Sequence, residues 1–143
     1  MRTRKILAVA AAILVALLLG GCRSKTAYDT AEKSASGFVD VAMPSNAKDN
    51  TVIIFAPLNC PREAGQRAQA LHERLKQLEV PNMMSNSYSL RFTDNSEEFK
   101  AKLQRTNAVM QGELPIVLIN GMGKPNPTAE EVVAEYERTS QGK

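Results

Sequence analysis

The sequence has no tryptophan, a single histidine and only two cysteines, Cys22 and Cys60. One histidine and no cysteine cluster leave no metal site of the usual spacing. Neither a Ser-His-Asp set beyond His72 nor a Gly-x-x-x-x-Gly-Lys phosphate loop is present, so hydrolase and nucleotide-binding functions have no support. The longest apolar run, Ile6 to Leu19, falls short of the ~20 residues a membrane-spanning helix needs. No recognition-helix or zinc-finger spacing speaks for nucleic acid.

What is present begins with that apolar run. Arg2, Arg4 and Lys5 precede it and Leu19-Gly20-Gly21-Cys22 follows it, the layout of a secretory leader over residues 1–21. The last four residues resemble the bacterial lipobox. That resemblance implies acylation of Cys22, cleavage before it, and a bilayer as the first partner, each buried CH₂ contributing about 0.8 kcal/mol. Arg23 rather than Asp after the cysteine resembles the outer-membrane sorting class and implies a periplasm-facing envelope protein. The whole chain carries 18 Lys and Arg against 15 Asp and Glu. Losing Arg2, Arg4 and Lys5 leaves fifteen of each, so the basic balance belongs to the leader and no basic patch remains for nucleic acid.

The mature chain reads as a tether over 22–50, rich in Ser, Ala, Thr, Lys and Asp, and one domain over 51–143. Phe38 to Val41 alternates as a short edge strand would. Thr51 to Ala56 is a continuous β-branched run, expected of a strand buried on both faces. Cys60 to Glu79 repeats apolar residues at helical spacing (Ala64, Ala68, Leu71, Leu75, Leu78) and is stopped by Pro81. His72 lies one position past that stripe, at a solvent-exposed place. Met83 and Met84 read as gap-filling core. Ser87 to Phe92 alternates as a half-buried strand. A helix over 96–111 with the stripe Phe99, Leu103, Thr106 and Met110 is closed by Gly112. Pro115 to Asn120 is a second buried strand, and residues 121–126 turn the chain around a very short strand at Met122. Thr128-Ala129-Glu130-Glu131 is a capping box opening a last helix with Val132, Val133 and Tyr136. The order β-α-β-α-β-(β)-α predicts an α/β fold with helices on both faces of the sheet.

Cys60 precedes Pro61 at the mouth of the first long helix. As N-cap, with Pro61 at N1, its sulfur would face unpaired amides and the positive end of the helix dipole, which favour thiolate. Arg62 would add positive charge. Glu63, at N3, would reach back to the cap and oppose it.

Two stretches, VIIFAPLNCPRE and Glu113-Leu114-Pro115-Ile116-Val117-Leu118-Ile119-Asn120-Gly121, are similar to the thioredoxin superfamily, most closely its glutaredoxin branch. The resemblance covers residues 51–138. It implies a thioredoxin-like three-layer sandwich, a cis-proline at Pro115 facing Cys60, and main-chain contact with a partner at Leu114 and Pro115. The departures are equally specific. Glu63 stands where dithiol members carry a second cysteine, so no dithiol cycle fits within this chain. Lys124 to Thr128 lacks the glycine pair and Asp that hold glutathione, leaving a site for that ligand incomplete. Two functions follow: a non-catalytic protein-binding adaptor in an envelope assembly, secretion or transfer system, or a monothiol using Cys60 to form mixed disulfides with an envelope partner.

Overall fold

The computed structural model describes residues 24–57, 61–90 and 95–141. The leader, Cys22, Cys60 and the end of the alternating run Ser87 to Phe92 lie outside the described residues. Among the described residues nine elements follow in order. A short helix α1 (Ala27–Thr30) and strand β1 (Val39–Asp40) precede strand β2 (Val52–Phe55), helix α2 (Glu63–Gln77) and strand β3 (Asn82–Ser85). Helix α3 (Glu97–Met110), strands β4 (Ile116–Ile119) and β5 (Met122–Pro125) and helix α4 (Ala129–Ser140) complete the chain. From β2 onward this is the α/β order expected from the hydrophobic pattern.

The sheet is mixed, in the order β1-β5-β4-β2-β3. Only β2 and β3 run parallel, through the α2 crossover; β4 lies antiparallel to β2 and β5, and β5 to β1. The unbroken apolar runs of β2 and β4 are explained by their central places, where both faces are covered. Val52, Ile54, Val117 and Ile119 meet Ala68, Leu71 and Leu75 of α2 and Val132 of α4. Ile53, Phe55, Ile116 and Leu118 meet Val109 of α3 on the opposite face.

Two local expectations are corrected. Ser87 to Leu90, the described part of the expected half-buried strand, forms no strand; Asn82–Ser85 instead pairs with β2 at the sheet edge, register Val52 to Asn82. The reason lies in how α2 ends. Glu79 adopts φ 57°, its N–H bonds Lys76 O, and Val80 N–H bonds Leu75 O, so the chain reverses at once into β3. Met83 and Met84 then fall on opposite sheet faces, packed against the two cores as the gap-filling reading expects. Gly112 has no left-handed φ; a side chain there would lie 2.5 Å from Pro125 Cβ, so it serves close packing of α3 on β5.

The segment read mostly as a tether carries the short edge strand expected at Phe38 to Val41. Phe38 and Val39 are fully buried and Val41 nearly so, with β1 as an edge strand on β5. Polar bonds stitch the rest of the segment down. Asp40 is held by Arg105 (2.9 Å) and Lys102 (3.0 Å), and Ala42 N–H donates to the buried Thr106 Oγ1 at 2.8 Å. Tyr28 donates to Gly37 O at 3.0 Å. The segment is low in large apolar residues, yet the few it has sit at core positions, which composition does not register.

Candidate functional site

The site is built where α2 begins beside the loop before β4. Arg62, not Cys60, is the N-cap of α2, with extended φ −72° and ψ 160° and no side-chain capping bond. Gln66 N–H closes the first turn on Arg62 O, while Gln66 Nε2 reaches back to Pro61 O at 2.9 Å. That side-chain bond holds Pro61 outside the helix and displaces the start by two residues from the expected place. Glu63 is consequently the first helical residue rather than the third and makes no capping box. It pairs instead with Arg67, one turn on, at 2.8 Å.

Arg67 is the centre of the arrangement. Its guanidinium also bonds Glu113 at 2.9 Å and the Leu114 carbonyl at 2.8 Å. Its Nε is buried with no partner among the described residues. One arginine on α2 thereby braces the whole approach to β4. The Glu63 carboxylate lies in the first turn of α2, where the positive end of the helix dipole favours it.

The Leu114–Pro115 peptide is cis, the form the family resemblance implies at this position. These two residues form a ridge between two grooves. Leu114 lines an apolar groove of about 510 Å³ on the α3 side, with Phe55, Pro57, Tyr88, Met110 and Ile116. Pro115 lines a groove of about 400 Å³ on the other side, with Arg67, Arg74, Asn126 and Pro127. In the first groove Phe55 and Tyr88 pack edge to face, centroids 5.7 Å apart. Burial pushes the Tyr88 hydroxyl up to about 12, against a smaller opposing pull from Thr106. The hydroxyl therefore stays neutral and donates to Ala42 O at 2.9 Å, leaving the ring to line the groove. Such a surface can receive an apolar side chain, and its described lining residues supply no acid or base.

The second groove contains the segment that fails to match a glutathione site. Thr128 caps α4 and Glu131 reaches back to its N–H, the expected capping box, so the helix start is already satisfied internally. Asn126 N–H donates to Pro115 O at 2.7 Å, joining the β5 end to the ridge.

His72 is half-buried rather than solvent-facing, its Nδ1 2.6 Å from Asn82 Oδ1, and links α2 to β3. Among the described residues no group of three or more His, Cys, Asp or Glu could hold a metal ion, and no helix is long and apolar enough to cross a membrane. Sequence reasoning missed Arg67, Tyr88 and the buried Glu135. Glu135 had a readable signal, since it falls three residues past Val132 on the apolar stripe of α4. Arg67 had only its i, i+4 spacing to Glu63, because its other partners Glu113 and Leu114 are remote in the chain. No family model matches this chain, no curated protein matches it, and no solved structure matches it.

Proposed function

We propose that the chain is a bacterial envelope lipoprotein, held by acylated Cys22 and facing the periplasm from the outer membrane. Its thioredoxin-like domain acts mainly as a non-catalytic adaptor that binds another envelope protein in an assembly, secretion or transfer system. The strand order, with one parallel pair beside an antiparallel β2-β4-β5 set, is compatible with that fold.

The observation that carries the adaptor reading is the Glu63–Arg67–Glu113 brace. The cation nearest the ridge is already shared between two carboxylates and a main-chain carbonyl. Engaged by Glu63 and Glu113, Arg67 brings no uncompensated positive charge to favour a thiolate at the cysteine upstream of α2. What the ridge offers instead is an apolar groove able to take a side chain from a partner, with Leu114 and Pro115 supplying main-chain contact.

A second reading, a monothiol exchange protein using Cys60 supported by Arg62, draws on the N-terminus of α2, where the N-cap Arg62 makes no side-chain capping bond. The two separate in one experiment. Full-length protein carrying Cys60→Ser or Leu114→Asp is cross-linked in intact envelopes under thiol trapping, and the adducts are identified by mass spectrometry. The adaptor reading expects Cys60→Ser to keep the wild-type adduct and Leu114→Asp to lose it with unchanged thermal stability. Loss of the adduct in Cys60→Ser alone, with a mixed disulfide trapped on wild-type Cys60, would replace the adaptor by the monothiol.

A further inference from the structure

The segment next to the proposed lipid anchor has no slack. Thr26 caps α1 and forms a capping box with Asp29, and Tyr28 is bonded to Gly37 O. Ser34 and Ser36 each donate to buried Glu135 at 2.7 Å, and Lys124 Nζ holds Ser36 O at 2.9 Å. Only Arg23 separates Cys22 from Ser24. At ~3.3–3.6 Å per extended residue, the acylated cysteine can stand no more than about 7 Å of chain from Ser24.

Ser24 lies in a groove of about 670 Å³ whose other walls include Tyr28 of α1, Asn107 and Gln111 at the end of α3, and Gly112 and Pro125. We infer that this face, built from α1 and the last turn of α3, rests on the phospholipid headgroup surface and fixes how the domain is presented. The inference rests on the lipoprotein reading above. The groove is lined by no Lys or Arg, and its one acid, Asp29, is engaged by Thr26. Lys25, between Ser24 and Thr26, and Lys33, its Nζ 4.8 Å from the Tyr28 ring centroid, stand beside the groove and can add ~1 kcal/mol each toward anionic lipid. On a neutral lipid surface, chain length is what seats the face.

The geometry has a consequence for the adaptor. Gly112 precedes the ridge by two residues, Pro125 pairs with Ile116, and Asn126 bonds Pro115. The resting face thus adjoins the ridge end of the sheet, while the far end of α2 points away. The partner that reaches the Leu114 groove is a protein presenting its contact segment close to the lipid surface.

The test uses acylated full-length protein carrying Cys60→Ser, reconstituted in phosphatidylcholine vesicles. One fluorophore is attached through Gln111→Cys or through Gln77→Cys, both exposed positions. Quenching by headgroup spin-labelled lipid should be several-fold stronger at 111 than at 77. On these neutral vesicles it should be unchanged by salt. A long Gly-Ser insert between Arg23 and Ser24 should equalise the two probes. Equal quenching without the insert, on protein whose N-terminal peptide carries the acyl mass, would overturn the orientation and leave the anchor standing. Quenching at 111 that collapses in salt would overturn the tether-length account. An N-terminal peptide without acyl mass would remove the anchor and this inference together.

Discussion

Glu135 sets the residue scale. Its carboxylate is fully buried, accepts hydrogen bonds from Ser34 and Ser36, and pairs with Arg138. Burial alone pushes its pKa up, but the bonds from Arg138, Ser36 and Ser34 together outweigh it and hold the carboxyl below its ordinary value. A carboxyl depressed in the folded state contributes stability above its unfolded value of ~4.3 and loses it as pH falls through the folded value. Glu135→Gln should accordingly cost roughly 1–3 kcal/mol at neutral pH, because the paired donors lose a charged acceptor. The difference from wild type in urea midpoint should shrink in acid. A gap of the same size at low pH would assign the effect to shape instead of charge. Glu79 supplies a contrasting case. It occupies a left-handed φ of 57° at the end of α2, where a Cβ is disfavoured. Glu79→Gly should stabilise by about 0.5–1 kcal/mol, seen as a raised thermal midpoint.

At the scale of elements, packing of α3 on β5 depends on a position with no side chain. A Cβ on Gly112 would stand 2.5 Å from Pro125 Cβ and 3.0 Å from Val109 O. Gly112→Ala should destabilise by about 1–3 kcal/mol by denaturant titration. Combined with Pro125→Gly it should cost less than the two single changes added together, since the clash is between those two atoms. The sequence shows why such features escape reading. Val52–Phe55 and Ile116–Ile119 were legible because a central strand needs an unbroken apolar run, and Thr128 because a capping box is local. The β4–β5 hairpin carries Asn120-Gly121, both at positive φ, which is a short-range turn pattern that could have announced β5 outright. The edge strand was misplaced because Asn82–Ser85 has no alternation: it is half-buried along its whole length, with a methionine turned to each core. In the site, Leu114 and Pro115 were placed by resemblance. The Arg67 brace depends on residues more than forty positions apart and has no periodic trace. Cys60 could not be weighed as a cap, since Gln66 moves the helix start past Pro61 through a bond that no local rule anticipates.

For the whole molecule, the decisive question is whether residues 24–50 are tether or fold. Phe38 is fully buried among Val52, Ile54 and Val132, so it contributes to the same core as the central strands. A tether could lose it without effect. A core residue cannot: Phe38→Ala should cost about 3–5 kcal/mol, a large share of the ~5–15 kcal/mol that holds a typical domain. Proteolysis asks the same question without a mutation. Lys25, Lys33 and Lys48 are exposed and offer trypsin three sites in the segment. Cleavage needs several residues of extended, released chain, and around Lys33 the backbone is pinned by Ser34, Ser36 and Phe38. Cutting at Lys33 in the folded protein should therefore be slow, limited by opening of the segment, and should accelerate in Glu135→Ala, which leaves both serine hydroxyls unmatched. Rapid cutting at Lys33 in the wild type, equal to that of the unfolded chain, would return the segment to a tether. The orientation at the membrane would then have no mechanical basis, because an anchor on loose chain lets the domain turn freely.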